Sequence, residues 1–217
     1  GVLLAPLIVP ASRPSQLYLE LASASTVFVA AAIMRCGVER QPLVSLGFQP
    51  KHLARDFAAG LVIGAAMMAA IGIARFSPPA LAGLGMLAIV TITNTFSQEL
   101  LVRGYIQQTL RSRFGAAASI VTSAGLFMLL HAAVIKAPPF AINLFLAGLL
   151  LGIAYALTGN LWLPIAIHFG WNFLQGVLGV AVEGGLPATI VTLLGIAAVA
   201  LLFGRRYSIR QMASAAP

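Results

Sequence analysis

The sequence has little charge and almost no cysteine. Only 8% of its 217 residues are charged, against about 25% in an average soluble domain, so a water-soluble globular protein is excluded. One cysteine, Cys36, allows no internal disulfide and rules out a four-cysteine metal site. The net charge of +8 is the difference between 13 Lys and Arg and five Asp and Glu residues, and the basic residues form no single patch, which argues against nucleic-acid binding. These residues stand at the ends of apolar segments instead, as in membrane proteins.

Long apolar runs fill most of the chain, and hydrophobic residues make up 60% of it. An α-helix needs about 18 to 20 such residues to cross a bilayer. The runs are apolar on all sides rather than alternating in polarity, which excludes a transmembrane β-barrel. We therefore expect an all-α, polytopic transmembrane helix bundle with about seven spans, at residues 17–34, 57–74, 81–102, 115–135, 140–157, 161–182 and 186–203.

The basic residues predict how the bundle is oriented. If each run crosses once, nine Lys and Arg residues fall on one side and three on the other, with Arg103 inside or at the edge of a helix. Excess positive charge marks the cytoplasmic side, so we expect a cytoplasmic C-terminus in a bacterial inner (plasma) membrane. The nine are Arg35, Arg40, Lys51, Arg55, Arg111, Arg113, Arg205, Arg206 and Arg210, and the three are Arg13, Arg75 and Lys136.

The chain divides into three expected parts. Residues 1–80 hold the N-terminal helices and a loop on the cytoplasmic side, residues 81–182 hold the core with the polar groups described below, and residues 183–217 hold the last span and a basic tail. Residues 2–9 are apolar but too short to span, and we expect them to be part of a further helix or of a removed targeting segment.

Polar residues inside the apolar runs are few, and they cluster. A charged side chain at the centre of a span costs about 2.5 to 3.5 kcal/mol, so it usually faces the bundle interior and has a function. The third, fourth and sixth runs carry such clusters, respectively Asn94, Gln98, Glu99 and Arg103; His131; and His168 and Asn172.

The spacing within each cluster directs its side chains to one helix face. Glu99 and Arg103 are four residues apart and can form an ion pair, and His168 and Asn172 have the same separation. Because hydrocarbon offers no polar partner, we expect the clusters to converge on one interior cavity. There a carboxylate can act as a general base, neutral imidazoles can hold a water or a divalent metal, and an asparagine amide can stabilise an oxyanion. These groups suit hydrolysis of an amide bond without a serine or cysteine nucleophile.

Other polar and small residues have expected structural roles. We expect Asn94 and Gln175 to form hydrogen bonds between helices, and Glu20, near the end of the first run, to be solvated. Gly148 and Gly152 have the small-x-x-x-small spacing of close-packing helix surfaces.

The polar clusters resemble the motifs of the CPBP family of intramembrane proteases, which includes CAAX prenyl endopeptidases, bacteriocin-processing proteins and abortive-infection (Abi) proteins. Gln98 to Gly104 stands at the family's Glu-Glu-x-x-x-Arg motif. Phe127 to His131 matches Phe-x-x-x-His, and His168 to Asn172 matches His-x-x-x-Asn. The three motifs occur in the expected order over about residues 94–175, which makes the resemblance more specific than any one motif.

The resemblance implies an endopeptidase that hydrolyses a peptide bond of a membrane-associated protein or peptide with an activated water. By it, Gln98 or Glu99 would activate the water and Arg103 would orient Glu99. His131 would share in holding the water, and His168 with Asn172 would stabilise the oxyanion. A divalent metal such as zinc is a possible cofactor, with Glu99, His131 and His168 as its ligands. The implied partners are membrane lipid, the substrate and a membrane protein complex, with no nucleic acid.

One residue departs from the family pattern. Gln98 stands where the family has the glutamate taken as the base, and a glutamine cannot accept a proton in that role. The chain is then a variant that works through Glu99, a pseudoenzyme, or the product of an inactivating substitution. A second hypothesis is therefore a noncatalytic membrane subunit that binds and stabilises a partner complex. A small transporter with a midplane site is a third, although the sequence shows no repeated halves.

Overall fold

The structure is a computed structural model that describes residues 14–72, 83–180, 182 and 184–214. The expectations for residues 2–9, Arg13 and Arg75 lie outside these residues. Every regular element in the described ranges is helical, which confirms the all-α membrane bundle. The long helices are α1 Pro14–Ala32, α2 Leu53–Gly72, α3 Leu84–Glu99, α4 Gln108–Leu130, α5 Pro138–Thr158, α6 Trp162–Leu178 and α7 Leu186–Ser214.

Shorter helical elements extend or connect the long helices. Two are π-helices, which have a wider turn than an α-helix, and the others are 3-10 turns. One π-helix continues α1, and the other joins α3 to α4 without interruption. The π-helices are Ile33–Val38 and Leu100–Gln107, and the 3-10 helices are Leu43–Leu46, Pro50–His52 and Ala132–Val134.

The predicted number of spans is wrong. In the described ranges, five helical stretches are long and apolar enough to cross a membrane, where the sequence predicted about seven. The third and fourth predicted spans lie in one continuous stretch, Leu84–Leu130. The sixth corresponds to α6, whose 17 residues fall short of a full span. Apolar runs thus predict which residues can lie in the membrane, but they do not predict where each helix begins or ends.

A glycine reverses the chain inside the 47-residue stretch Leu84–Leu130. Gly115 has φ 80° and ψ 176°, a backbone conformation that glycine adopts without the strain that a Cβ would cause. After this turn α4 packs back against the π-helix Leu100–Gln107. Ser123 Oγ donates to Gln107 Oε1 at 3.0 Å, whereas a straight helix would separate these residues by about 24 Å. The stretch therefore holds two helices that lie side by side.

Three connections between helices meet at one end of the bundle. Arg35 Nε, after α1, donates to Ser45 Oγ at 2.7 Å, and Gln108 Nε2, before the Gly115 turn, donates to Ser45 O at 2.6 Å. Leu161 N, before α6, donates to Gly47 O at 2.9 Å. The connections α1–α2, α3–α4 and α5–α6 therefore share an end, as the orientation argument requires. Which face of the membrane this end occupies stays a prediction.

Glycines let the helices around the polar clusters approach closely. A Cβ added to Gly148 on α5 would lie 2.8 Å from Ala124 Cα on α4, and Gly152 lies one turn further along α5. This contact confirms the close-packing role predicted for this spacing. A Cβ at Gly170 on α6 would lie 2.7 Å from Leu61 O on α2, so a glycine also fixes α6 against α2.

Candidate active site

Glu99, the last residue of α3, has two partners on one carboxylate oxygen. Arg103 Nη1 donates to Glu99 Oε1 at 3.0 Å, and His168 Nδ1 lies 2.9 Å from the same oxygen. Glu99 and Arg103 are fully buried, and His168 is 6% exposed. Because a carboxylate only accepts hydrogen bonds, Nδ1 of His168 carries the proton. The ion pair expected from the spacing is thus present and is linked to α6 through His168.

Arg103 lies in the π-helix that begins directly after Glu99 and contacts two further helices. Its Nη2 donates to Gly148 O on α5 at 3.0 Å. Its guanidinium carbon lies 4.7 Å from the ring centroid of Phe127 on α4, a cation–π distance. These contacts fix the guanidinium, and the guanidinium in turn fixes the carboxylate of Glu99.

His131 follows the last residue of α4 and is 5% exposed. Its Nδ1 lies 2.8 Å from Phe127 O, and since a carbonyl oxygen only accepts, this Nδ1 also carries the proton. The Phe127 ring contacts both histidines, with centroid distances of 4.6 Å to His131 and 5.4 Å to His168. The Phe-x-x-x-His spacing therefore places Phe127 beside His131, and the packing of α6 brings His168 to the same ring.

A cavity of about 80 Å³ opens beside the two histidines. A buried water needs about 10 to 15 Å³ of such space, so several waters fit. Most of the wall is apolar, including Met67, Phe140, Leu150 and Trp171, and the polar part is formed by His131, Asn143, His168, Asn172, Gln175 and Thr192. The expected interior cavity is present, and it receives three of the predicted side chains, namely His131, His168 and Asn172.

Each histidine has one ring nitrogen left for the cavity. In the described ranges no residue bonds to Nε2 of His131 or of His168, while Nδ1 of each is engaged as above. With Nδ1 protonated, a neutral imidazole presents Nε2 as an acceptor. Asn172, partly exposed one turn beyond His168, supplies an amide with N–H donors to the same cavity. The wall thus combines two imidazole acceptors with the neutral amide of Asn172 close to one of them.

Glu99 itself is not part of the cavity wall and lies behind His168. Its second oxygen, Oε2, is buried and has no hydrogen-bond partner among the described residues. The carboxylate therefore acts on the cavity through His168 rather than directly.

Gln98 bonds to Asn94 on its own helix, and Asn94 connects it to α1. Its Nε2 donates to Asn94 Oδ1 at 3.0 Å, and Asn94 Nδ2 donates to Glu20 Oε2 at 3.0 Å. Gln98 is 4% exposed, and it is absent from the cavity wall formed by the described residues. The structure therefore does not group Gln98 with the other predicted site residues.

The expected solvation of Glu20 is wrong. Glu20 is 3% exposed and accepts the hydrogen bond from Asn94 on α3. The prediction relied on the position of Glu20 near the end of an apolar run, and it could not include the polar group of Asn94 on the neighbouring helix. The same bond confirms the helix-to-helix hydrogen bond predicted for Asn94. Gln175, in contrast, accepts from Trp171 Nε1 within α6 and lines the cavity, so the role predicted for it is wrong.

Two polar residues of the cavity wall were missed by sequence reasoning. Asn143 on α5 is 5% exposed, and its Oδ1 accepts from Thr192 Oγ1 on α7 at 3.1 Å. Neither residue belongs to a motif. The available signal was an amide inside the strongly apolar run of α5, where polar side chains are rare.

The residues in the described ranges do not form a recognisable metal site. No three His, Cys, Asp or Glu side chains there are arranged to hold a metal ion. One oxygen of Glu99 is shared by Arg103 and His168, and the imidazoles use Nδ1 for Glu99 and for a backbone carbonyl. The geometry thus does not fit the Glu99, His131 and His168 ligand set.

Comparisons with known proteins give one finding. Residues 79–174 match a family model described as Type II CAAX prenyl endopeptidase Rce1-like. No curated protein and no solved structure matches the chain. The matched residues include all three motifs, the π-helix after Glu99 and the cavity-facing histidines. Over residues 79–174 the chain is therefore similar to the Rce1-like type II CAAX prenyl endopeptidases, which confirms the predicted resemblance to the CPBP proteases.

Proposed function

We propose that this protein is an intramembrane endopeptidase that hydrolyses a peptide bond of a membrane-associated protein or peptide. The observation that carries the proposal is that His131, His168 and Asn172 line one cavity, with Glu99 bonded behind His168. The match at residues 79–174 supports protease chemistry within a membrane.

A water in the cavity is the proposed nucleophile. The Nε2 atoms of His131 and His168 accept its two hydrogens, which leaves an oxygen lone pair free to attack a carbonyl carbon. Asn172 donates an N–H to the oxyanion that forms. Thr192 carries the one hydroxyl among the described cavity residues, and that hydroxyl contacts Ala188 O at 2.8 Å and Asn143 Oδ1 at 3.1 Å. These contacts leave it unsuited to the role of nucleophile.

A metal ion is not used in this mechanism. A divalent cation such as zinc stays a prediction of the resemblance, and the described residues offer no three-ligand set for it. Elemental analysis of the purified protein decides the point, and one equivalent of bound zinc would overturn the metal-free form of the proposal.

The proposed setting is an integral protein of the bacterial inner membrane with its C-terminus in the cytoplasm. The shared end of three connections carries six of the 13 Lys and Arg residues, among them Arg35, Arg55 and Arg111, and positive charge marks the cytoplasmic face. Labelling of cysteines introduced at Arg113 and Lys136 in intact cells tests this orientation. Only the second position is expected to react with an impermeant reagent.

Cleavage of a defined peptide tests the function. The probe is a set of quenched-fluorescent peptides with about 20 apolar residues each, reconstituted with the protein in liposomes. We expect cleavage by the wild type and a loss of at least about 100-fold, the general-base contribution, in His131→Ala and His168→Ala. His52→Ala is the matched control, because His52 lies in the α1–α2 connection, and it is expected to keep full activity. Equal cleavage by all four proteins would contradict the proposal.

Gln98 favours one alternative, a catalytically impaired membrane subunit that binds and stabilises a partner complex. Under this alternative a partner copurifies with the protein, and His131→Ala and His168→Ala leave that copurification unchanged. Accumulation of an uncleaved substrate in the same two variants would exclude it.

A further inference from the structure

The proposed hydrolysis needs a base, and position 98 does not supply one. An amide oxygen cannot hold a proton at neutral pH, and the hydrogen bonds of Gln98 lead through Asn94 to Glu20 on α1. The proton that leaves the water must therefore go to another group at the cavity. Among the described residues of the cavity wall, the groups that can take up a proton at neutral pH are the imidazoles of His131 and His168, through Nε2.

The two histidines differ in what lies behind them. Nδ1–H of His131 points to a neutral carbonyl, Phe127 O, whereas Nδ1–H of His168 points to the carboxylate of Glu99. A carboxylate behind an imidazole stabilises the imidazolium that forms when Nε2 takes a proton, and it fixes the tautomer. In a buried site this electrostatic difference is large because little water screens it. Of the two imidazoles, His168 is therefore the one whose protonated form contacts a carboxylate.

We propose that His168 is the general base of the reaction and that Glu99 is the positioning residue that makes it one. The inference rests on the proposed function and deepens it, since it replaces oxyanion binding with proton transfer as the role of His168. Glu99 accepts from Nδ1 through Oε1, and the same oxygen is anchored by Arg103. The carboxylate–imidazole pair thus stands in for the glutamate that position 98 lacks.

The steps balance without a further reactant. The water oxygen bonds to the carbonyl carbon, one O–H bond breaks, and its proton moves to Nε2 of His168. The carbonyl π electrons move to the oxygen, where Asn172 donates a hydrogen bond. The C–N bond then breaks, the imidazolium gives its proton to the leaving nitrogen, and a carboxylic acid and an amine result. His168 returns to its neutral form.

The decisive variant is Glu99→Gln, which keeps an acceptor oxygen for His168 and Arg103 but removes the negative charge. In Ser-His-Asp hydrolases the matching carboxylate-to-amide change lowers kcat by about 10⁴-fold. We expect kcat for the peptide probe to fall at least about 100-fold, with KM little changed, and Glu99→Asp to regain part of the loss. Gln98→Leu is the matched control from the adjacent residue and is expected to keep kcat within a few-fold.

Chemical rescue separates a base from a structural residue. His168→Gly leaves space for a small molecule, and added imidazole is expected to restore part of the cleavage, whereas His131→Gly is expected to show no such rescue. Size-exclusion chromatography in detergent checks that each variant is folded.

The outcomes distinguish this inference from the proposed function. If the wild type cleaves the probe and Glu99→Gln cleaves it equally well, or if Gln98→Leu is as inactive as His168→Ala, the assignment of the base is wrong while the endopeptidase stands. If the wild type cleaves none of the peptides, the proposed function fails and the base assignment fails with it.

Discussion

Gln98 and Glu99 are neighbours on α3, yet they belong to two separate hydrogen-bond networks. Glu99 bonds to Arg103 and to His168 and reaches the cavity through α6. Gln98 bonds to Asn94 and through it to a carboxylate on α1. Since adjacent residues of an α-helix point about 100° apart, each network has its own neighbouring helix. The Glu99 network contains an ion pair, whereas the Gln98 network contains the carboxylate of Glu20 and the amides of Asn94 and Gln98.

The difference shows how the motif at residues 98–104 can lack one glutamate while the contacts around the cavity are kept. The Glu99 network joins α3 and its π-helix to three further helices, through Gly148 on α5, Phe127 on α4 and His168 on α6. In the Gln98 network the bond from Asn94 to Glu20 joins α3 to α1, and none of these three residues is part of the cavity wall formed by the described residues. A change at position 98 therefore leaves the geometry around the cavity intact.

The largest expected effect comes from breaking the Glu99 network at Arg103. Arg103→Met leaves a buried carboxylate without its cation, and removal of one partner of a buried pair costs about 3 to 5 kcal/mol. We expect unfolding in detergent at a much lower denaturant concentration than for the wild type. Arg113→Met, at an exposed position near the Gly115 turn, is the control and should unfold like the wild type. Equal stability of both variants would show that the pair does not hold the site together.

Gly148→Ala tests the contact between α5 and α4. The added Cβ would lie 2.8 Å from Ala124 Cα, so the helices must separate, at a cost of about 1 to 3 kcal/mol. The separation also weakens the bond from Arg103 to Gly148 O. Gly125→Ala on α4 is matched, because nothing lies within 4 Å of its added Cβ. We expect the thermal unfolding temperature to fall for Gly148→Ala only. A fall for both variants would contradict the packing argument.

Gln98→Glu tests the Gln98 network. Glutamate cannot donate to Asn94 Oδ1, and it places a second carboxylate close to Glu20, so we expect a loss of about 1 to 3 kcal/mol. Adding Glu20→Gln is expected to recover most of that loss, a coupling that a double-mutant cycle measures. Additive effects of the two substitutions would show that the network does not connect these residues.

The substitution with the smallest expected effect tests whether the chain reverses at Gly115. Ser123→Ala removes the hydrogen bond to Gln107 between the two antiparallel halves, and such interhelical bonds in membrane proteins are worth about 0.6 kcal/mol. Ser112→Ala serves as its control, because Ser112 bonds only to Thr109 O one turn away. A stability difference between the two variants is expected in a steric-trapping measurement, and its absence would argue against the reversal.

Sequence predicted the parts of this architecture that depend on local chemistry. The i,i+4 spacing gave the Glu99–Arg103 pair, and the cost of polar groups in hydrocarbon indicated that His131, His168 and Asn172 share a cavity. The first inference needs only the geometry of one helix, and the second needs only the rule that polar groups avoid hydrocarbon. They required no knowledge of which helices are neighbours.

What sequence did not predict depends on contacts between helices. The number of spans was wrong because α3 and α4 belong to one uninterrupted helical stretch and α6 has only 17 residues, and hydropathy does not show where a helix begins or ends. Glu20 was assigned to solvent because its partner, Asn94, lies 74 residues away. That the Gln98 network continues to α1 could not be derived either, because this step is the bond from Asn94 to Glu20.

The central claim is that Glu99 fixes the proton of His168 on Nδ1 and leaves Nε2 free at a water-accessible cavity. The chain has three histidines, so ¹⁵N NMR of histidine-labelled protein in lipid nanodiscs can follow each one. The account predicts that neutral His168 and His131 both carry the proton on Nδ1, and that Glu99→Leu changes the tautomer balance of His168 while the signals of His131 and His52 stay in place. A His168 signal with the proton on Nε2, or one that Glu99→Leu does not move, would contradict it.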